Sequence, residues 1–436
     1  MTLGVHPDDI VASSSSGLLA AHCSWKRVRL QDIAHVLNGF AFASTSFAKA
    51  GQMPIVRIRD VERGTTDTFF SGKYDDRYLV SHGDLLVGMD GDFRAAPWRG
   101  PRALLNQRVC KVAVRDQELY SQDFLRYLLP GYLDAIHQRT SSVTVKHLSS
   151  VTLEQLPLPL PPRAQQDRIV AAIEEQFSRL DAGVAALERV RQNLKRMRAS
   201  VLQAAFVLHL TGEPMVALQT AATAQLGRML SAKRETGHHA KPYLRNRDVQ
   251  WGHISIKQLP TMDFGDKDSA RFRLYPGDVL ICEGGEIGRA AIWKGELLEC
   301  YYQKALHRVR CSSVLDAHYL RYLLEHYALT HAFERYQSGS TIAHLPQEDL
   351  RQLPIPLPPI DEQRATVAKI EELLSIGDQA SVDIERLGAK SQTLRSSILA
   401  AAFSGTLVPQ DPSDEPASVL LERIAAEQES TKRRKA

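Results

Sequence analysis

The chain has 436 residues, of which 44% are hydrophobic and 24% charged, and a net charge of +4. This length exceeds what one hydrophobic core organises, and the composition is typical of globular proteins. The weak positive charge permits an anionic partner. No apolar run reaches the ~18 residues of a membrane span, and five cysteines without C-x-x-C spacing favour free thiols over a disulfide framework or a zinc site. We therefore expect a cytoplasmic protein of two or more domains, with no metal site and no membrane contact.

The chain opens with a Ser- and Ala-rich stretch, residues 1–24, which is expected to be a poorly ordered lead-in. Residues 55–59 alternate apolar and basic side chains as a half-buried strand does. Residues 84–88 follow a glycine and predict a short buried strand. Residues 121–129 predict a helix with Ser121 as its N-cap.

The same plan then occurs a second time. The segment LPLPLPP at Leu156 returns as LPIPLPP at Leu353, an offset of 353 − 156 = 197. GDLLVGMDGD at Gly83 returns as GDVLICEGGE at Gly277, whereas the stretches that precede these two glycines diverge. A duplicated scaffold with two different surfaces is expected to bind two different things of one kind. B-DNA is a common partner for such a two-fold plan.

Each Pro-rich segment is expected to be a stiff connector that leads into a long helix, although a ligand for a Pro-binding domain is the alternative. After each segment apolar residues recur every seven positions, which predicts a coiled coil. A helix over residues 166–206 would be roughly 60 Å long at ~1.5 Å per residue. An antiparallel pair is the simplest packing; the alternative is that each helix packs on its own module. The predicted seam consists of Ile173, Leu180, Leu187, Leu194 and Val201 in the first helix and Leu373, Leu387 and Leu394 in the second.

The predicted fold is α+β, with two globular domains of mixed strands and helices separated by a pair of long antiparallel coiled-coil helices. The internal repeat gives this arrangement a pseudo-two-fold character. The predicted segments are 1–24 (lead-in), 25–155 (first globular domain), 156–210 (Pro-rich segment and first helix), 211–352 (second globular domain), 353–410 (Pro-rich segment and second helix) and 411–436 (C-terminal segment with a basic tail).

Catalytic signatures are missing from the sequence. There is no G-x-x-x-x-G-K-[ST] phosphate loop, no recognisable Ser or Cys nucleophile motif and no His/Cys cluster at metal spacing. What remains is polar recognition, because Arg and Lys suit guanine edges and phosphates while Asn and Gln suit adenine. Taken singly, each such residue also fits an ordinary surface position; their placement in the divergent parts of a duplicated scaffold favours recognition.

Candidate DNA contacts occur in both modules. Gln107 and Arg108 are aligned with Gln303 and Lys304, at an offset of 303 − 107 = 196, and are the preferred pair. Two further candidates belong to loops before the Pro-rich segments, where small hydroxyl residues could approach phosphates closely. The full candidate set is Arg57, Arg59, Arg94, Asn106, Gln107, Arg108, Lys146, Lys233, Arg234, Arg245, Asn246, Arg247, Gln250, Gln303, Lys304 and Thr341.

Together these motifs resemble the specificity subunits of type I restriction–modification systems. The resemblance rests on both Pro-rich segments, on the helix ends ASVLQAAF at Phe206 and SSILAAAF at Phe403, and on SGTLVPQDPSDEPASVLLERI from Ser404. It spans nearly the whole chain from Trp25 to about Glu427. One departure is that VLHLTGEPM follows the first helix where SGTLVPQDP follows the second.

The resemblance implies that each globular domain is a target-recognition domain that reads one half of an asymmetric, bipartite site in double-stranded DNA. The helices would set the unread spacer and hold two copies of a methylation subunit, and a restriction and translocase subunit would complete the complex. S-adenosylmethionine, ATP and Mg would be bound by those partners, with no cofactor and no catalysis in this chain. The alternative reading is a helical assembly scaffold whose globular modules bind proteins; an enzyme with an unrecognised site is a third.

Overall fold

The structure is a computed structural model that describes residues 7–12, 17–139, 147–229, 237–334 and 344–435. Its contacts divide the chain into unit 1, Met1–Ala185 with Leu387–Ala436, and unit 2, Ala186–Arg386. Both divisions fall inside long helices, so each unit contains one segment of each helix. The sequence partition had kept the helices apart from the globular domains.

Short strands alternate with helices through the described ranges. The helices are α1 (Pro7–Ala12), α2 (Leu30–Ile33), α3 (Asp60–Arg63), α4 (Gln122–Arg139), α5 (Ser150–Glu154), α6 (Arg163–Gly212), α7 (Asp266–Phe272), α8 (Ala317–Leu329), α9 (Gln347–Arg351), α10 (Ile360–Phe403) and α11 (Ala417–Lys435). The strands are β1 (Lys26–Arg29), β2 (Ala34–Asn38), β3 (Phe47–Ala48), β4 (Met53–Val56), β5 (Phe69–Phe70), β6 (Leu79–Val80), β7 (Leu85–Gly88), β8 (Ala95–Pro97), β9 (Ala103–Leu105), β10 (Val109–Val114), β11 (Pro157–Leu160), β12 (Met215–Ala217), β13 (Ala222–Leu226), β14 (Ala240–Leu244), β15 (Val249–Gln250), β16 (His253–Ile254), β17 (Thr261–Asp263), β18 (Val279–Cys282), β19 (Ala290–Ile292), β20 (Tyr301–Tyr302), β21 (Leu306–Cys311) and β22 (Pro354–Pro356). Among the residues described, no helix combines the length and the apolar character needed to cross a membrane.

The two units share one sheet topology. Unit 1 has a four-stranded sheet in the order β2-β10-β7-β8, and unit 2 has β13-β21-β18-β19. Each unit also has a parallel strand pair in a second sheet: β4 with β9, where Val56 lies opposite Leu105, and β14 with β20, where Leu244 lies opposite Tyr302. The α+β class and the internal repeat are therefore confirmed.

Helix α4 packs its apolar face into the unit 1 core, where Phe124, Leu125 and Leu128 are buried. The Ser121 hydroxyl accepts a hydrogen bond from the Phe124 amide at 3.3 Å, which confirms the predicted N-cap. The strand predicted at residues 84–88 is also confirmed as β7. The strand predicted at residues 55–59 is shorter than expected, because the Asp60 carboxylate accepts the Arg57 amide at 2.9 Å and turns the chain into α3.

The Pro-rich segments are strands rather than free connectors, which corrects the prediction. β11 pairs antiparallel with β1, and β22 pairs antiparallel with β12. Proline lacks an N–H group, so the backbone N–H donors of β11 are those of Leu158 and Leu160. Because proline and leucine alternate, every second residue can still donate a hydrogen bond to the neighbouring strand. The carbonyl of Pro157 accepts a hydrogen bond from the Tyr132 hydroxyl at 2.9 Å. Each Pro-rich segment is therefore anchored within its own unit before its helix begins.

The described part of the lead-in is packed, which corrects the expectation of poor order for residues 7–12 and 17–24. Ile10 and Leu19 are buried in the unit 1 core, and Asp8 forms an ion pair with Arg29 at 2.8 Å. The Ser-rich composition obscured two apolar side chains that tertiary contacts bury.

The helices α6 and α10 contain 50 and 44 residues. In unit 2 Arg198 contacts Asp378 at 2.9 Å and His209 contacts Thr366 at 2.9 Å. The position along α10 falls as the position along α6 rises, so the two segments run antiparallel, as predicted.

The coiled-coil seam is only partly as predicted. In α6, Ile173 is buried, whereas Leu180, Leu187, Leu194 and Val201 are half-buried. In α10, Leu373, Leu387 and Leu394 are 46%, 47% and 50% exposed, and this part of the prediction is wrong. Ile370, Leu374 and Gly377 are buried instead. The helix ends pack on the globular cores through Phe206 and Phe403. Which residues of each helix are buried therefore depends on packing against these cores as well as on the heptad pattern.

Candidate nucleic-acid interface

The preferred DNA candidates of unit 1 lie in a tight turn between β9 and β10. The Val109 amide donates to the Asn106 carbonyl at 3.2 Å, which closes a four-residue turn over residues 106–109, here named turn 1. Arg108 has φ of 73°, in the left-handed region that L-residues other than Asn and Asp seldom adopt. Asn106 is buried, whereas Gln107 and Arg108 are exposed at the tip of the turn.

Backbone hydrogen bonds from two other segments hold turn 1, and a third segment holds one of these two. The Gln107 amide donates to the Phe40 carbonyl at 2.8 Å, and the Met89 amide donates to the Arg108 carbonyl at 2.8 Å. The Leu148 amide in turn donates to the Met89 carbonyl at 2.7 Å. Turn 1 is therefore presented by a rigid backbone frame.

Unit 2 contains the same frame. Its turn 2, residues 303–306, is closed by the Leu306 amide on the Gln303 carbonyl at 3.1 Å. The matching bonds run from the Lys304 amide to the Arg228 carbonyl at 2.7 Å, from Glu283 to Ala305 at 3.0 Å and from Leu345 to Glu283 at 2.7 Å. The two units thus support their turns with the same backbone hydrogen bonds, although the side chains around the turns differ.

A glycine allows the close backbone approach in each frame. A side chain at Gly39 would place its Cβ 2.1 Å from the carbonyl oxygen of Asn106, and one at Gly227 would place its Cβ 2.3 Å from that of Gln303. Neither distance is compatible with a side chain, so only glycine fits at these two points.

The hydrogen-bond register corrects the alignment of the two modules. Leu105 and Tyr302 occupy the same place in the parallel strand pairs, an offset of 302 − 105 = 197. Asn106 therefore matches Gln303, Gln107 matches Lys304, and Arg108 matches Ala305. The alignment of Gln107 and Arg108 with Gln303 and Lys304 was wrong by one residue. It rested on the similarity of two adjacent residues, and the strand register that corrects it is visible only in the structure.

Side chains around turn 1 form a charged cluster. Arg108 forms an ion pair with Asp90, whose other carboxylate oxygen lies 2.6 Å from His147 Nδ1. Partial burial alone would raise the pKa of the Asp90 carboxyl, but the hydrogen bonds from His147 and Arg108 outweigh burial, so that pKa lies below its usual value. Phe40, whose carbonyl accepts the Gln107 amide, is itself exposed. The sequence analysis missed Asp90 because it considered basic and amide side chains as DNA contacts. Asp90 could have been noticed because the matched residue of the second copy is Gly284.

Around turn 2 the chemistry differs. Lys304 is exposed, and Arg228 takes the backbone position of Phe40. The Arg228 guanidinium lies 3.0 Å from Asp268 and stacks over the Phe264 ring. Asn246 lies beside the turn and accepts a hydrogen bond from Arg289 at 2.8 Å through its amide oxygen.

The other candidate DNA contacts are distributed over both units and stay predictions. In unit 1 Arg57 is half-buried, Arg59 pairs with Asp67 at 3.1 Å, and Arg94 lies 3.7 Å from Asp134. In unit 2 Arg245 pairs with Asp248 at 2.8 Å, while Arg247 and Gln250 are exposed. The candidates outside the described residues are Lys146, Lys233, Arg234 and Thr341.

Comparisons with known proteins agree on one family. Residues 23–194 and 222–385 match the family described as the type I restriction modification DNA specificity domain. The EcoBI specificity subunit of Escherichia coli is 33% identical over 98% of this chain and 97% of its own length. The EcoKI specificity subunit of Escherichia coli K12 is 22% identical over 94% of this chain and 97% of its own length.

A solved structure from work on the assembly and conformational transition of a type I restriction–modification system shares the fold. It is 20% identical, has a TM-score of 0.57, and covers 88% of this chain and 99% of the solved chain. The family match covers both repeated modules, in agreement with the duplicated sheets and turns. The chain therefore belongs to the DNA-recognising specificity subunits of type I restriction–modification enzymes.

Proposed function

We propose that unit 1 and unit 2 each read one half of a bipartite, asymmetric site in double-stranded DNA. The observation that carries this proposal is the pair of turns: one backbone frame presents Gln107 and Arg108 in unit 1 but Lys304 and Ala305 in unit 2. A common frame with different side chains gives two readers of the same polymer with different sequence preferences.

The side chains at the two tips suit the major groove. Arg pairs with the O6 and N7 atoms of guanine, Gln pairs with adenine, and Lys contacts guanine or phosphate. The turns hold these residues on short loops braced by β-strands, which limits the entropy lost when they engage base edges. No covalent step is assigned to these residues; they bind and orient DNA.

The exposed apolar residues of the long helices support a second part of the proposal, namely that the helices set the spacer and dock two methylation subunits. Val190 and Leu387 are both exposed, and so are Met197 and Leu394. Each pair is separated by the repeat offset, 387 − 190 = 197 and 394 − 197 = 197. Matched apolar positions that stay partly exposed on two helices fit two copies of one partner.

Catalysis is assigned to the partners. The methylation subunits would bring S-adenosylmethionine and flip an adenine out of the duplex. A restriction and translocase subunit would bring ATP and Mg. This chain would bind none of these cofactors and would act in the cytoplasm, where it meets the DNA.

The test is to map methylated adenines across a genome in cells that carry the full complex. We expect one asymmetric, bipartite motif with a fixed spacer. A chimera that exchanges residues 211–352 for those of a relative should change one half of the motif and leave the other half intact. A complex that assembles but binds DNA without salt dependence or sequence preference would favour the protein-scaffold alternative instead.

A further inference from the structure

The Arg108–Asp90 ion pair is a feature that the fold itself does not require. Asp90 and His147 are joined by a backbone bridge, and Gly284 and His344 form the same bridge in unit 2. Unit 2 has Ala305 where unit 1 has Arg108. The frame therefore forms without the carboxylate and without the guanidinium, so the pair is specific to the surface of unit 1.

The backbone at Arg108 has a positive φ, a feature that the frame imposes in both units. Its φ of 73° lies in the left-handed region, where glycine is the least strained choice. The matched residue of unit 2, Ala305, also has a positive φ, of 133°, so the turn carries this strain in both units and unit 1 alone places a cationic side chain on it.

The geometry leaves the guanidinium held but accessible. One amino group of Arg108 contacts Asp90, while the Arg108 side chain is 57% exposed and that of Asp90 only 24%. The Nδ1 atom of His147 lies 2.6 Å from the other carboxylate oxygen of Asp90, so Asp90 is also held by a second side chain. Because a guanidinium has five N–H donors, several remain available to a ligand.

The carboxylate decides which part of DNA this cation suits. A phosphate placed against Arg108 would be repelled by the neighbouring Asp90 charge. A guanine edge carries no net charge, and its O6 and N7 atoms match two guanidinium donors of fixed orientation. The pair is therefore built for a base edge rather than for the DNA backbone.

We propose that Arg108 reads one guanine in the half-site of unit 1, and that Asp90 is the positioning residue that orients its guanidinium. This inference rests on the proposed function. It predicts that the guanine preference belongs to the half-site of unit 1 and has no counterpart at the matched position of the other half.

The test uses the full chain in complex with its methylation subunits and a library of sites in which each base pair of the motif is varied. Arg108→Ala should lower the guanine preference at one position about tenfold or more, within the range expected for a bidentate contact. Asp90→Asn should lower the same preference several-fold while binding to unrelated DNA is retained. Arg108→Lys keeps the charge but lacks the planar pair of donors, and should still lower the preference. Lys304→Ala is the matched control and should act only on the other half-site.

The outcomes separate the inference from the proposed function. An equal loss over all sequences for Arg108→Ala, restored by Arg108→Lys, would mean a phosphate contact and overturn the guanine assignment. An unchanged base preference in Asp90→Asn would remove its positioning role. If the unaltered complex shows no bipartite preference at all, the proposed function itself fails. Arg108→Gly relieves the turn and keeps the test valid should Arg108→Ala fold poorly.

Discussion

Arg198 of α6 and Asp378 of α10 form an ion pair at 2.9 Å in unit 2, and the repeat reproduces it in unit 1. Arg395 contacts Asp181 there, and the offsets are 395 − 198 = 197 and 378 − 181 = 197. Even the accessibility is alike, since both arginine side chains are about a quarter exposed. The surroundings differ: Arg198 also contacts the buried Glu325, whereas Arg395 stacks on the ring of Phe177.

This difference predicts unequal costs for the two arginines. Arg395→Ala should lower the free energy of unfolding by about 1 kcal/mol, because it removes a partly exposed ion pair and a ring contact. Arg198→Ala should lower it by about 2–3 kcal/mol, because Glu325 is buried and, among the described residues, would keep Arg321 as its remaining partner. Denaturant unfolding of the full chain measures both. Equal costs would show that Glu325 is satisfied without Arg198.

The glycines of the two backbone frames, Gly39 and Gly227, predict a local effect on recognition. Gly39→Ala and Gly227→Ala each force a Cβ into a carbonyl of the neighbouring turn and should destabilise their unit by about 1–3 kcal/mol. Gly39→Ala should weaken reading of one half-site, and Gly227→Ala reading of the other.

The matched control is Gly183→Ala in α6, where the added Cβ meets nothing within 4 Å. That change should stabilise the helix by about 1 kcal/mol and leave both half-sites unaffected. Binding to sites altered in one half at a time distinguishes these results. If Gly39→Ala weakened binding equally at both half-sites, a local role for Gly39 would be contradicted.

His307 predicts a pH dependence specific to unit 2. It is fully buried in β21, and its Nε2 atom lies 2.8 Å from the Leu345 carbonyl. Burial lowers the pKa of His307, an effect only partly offset by the Leu345 hydrogen bond and by Glu283. The folded chain therefore binds this proton less readily than the unfolded chain, so the stabilisation is complete above about pH 6.5, the usual value, and is lost as the pH falls through the lowered pKa.

The register supplies a matched substitution for this test. Cys110 occupies the same place in β10, since 307 − 110 = 197. His307→Cys should reduce the loss of stability between pH 6.5 and 5 by up to ~1.4 kcal/mol per pH unit. Denaturant midpoints over this range, for the variant and the unaltered chain, give the slope. The same slope in both proteins would mean that other groups, such as His326, carry the dependence.

The proposed docking of two methylation subunits predicts a change in their number when exposed apolar residues of the helices are altered. Leu394→Glu and Met197→Glu place a charge on matched apolar positions, and each should remove one of the two copies. Native mass spectrometry of the complex counts the copies directly. Gln392→Glu adds the same charge at an exposed neighbouring position and should leave both copies bound. Loss of both copies from a single substitution would indicate one shared docking surface.

Local patterns predicted the features that depend on neighbours in sequence. The N-cap at Ser121 and the two long helices follow from residues a few positions apart, and the repeat at Leu156 and Leu353 follows from comparing the chain with itself. So did the α+β class, because the same short strand signals occur in both copies. Gln107 and Arg108 were predicted as candidates from their residue types together with their recurrence in the second copy.

Only the tertiary structure decided the features that depend on distant partners. Whether a Pro-rich segment is a connector or a strand depends on β1 and β12, and the facing stripe of α10 depends on cores that bury Phe206 and Phe403. The pairing of Val56 with Leu105, and of Leu244 with Tyr302, moved the matched position of Arg108 from Lys304 to Ala305. The sequence by itself determined that two similar modules exist on one chain. Backbone hydrogen bonds between residues far apart in sequence decided which side chains each module presents, because no local pattern specifies strand register.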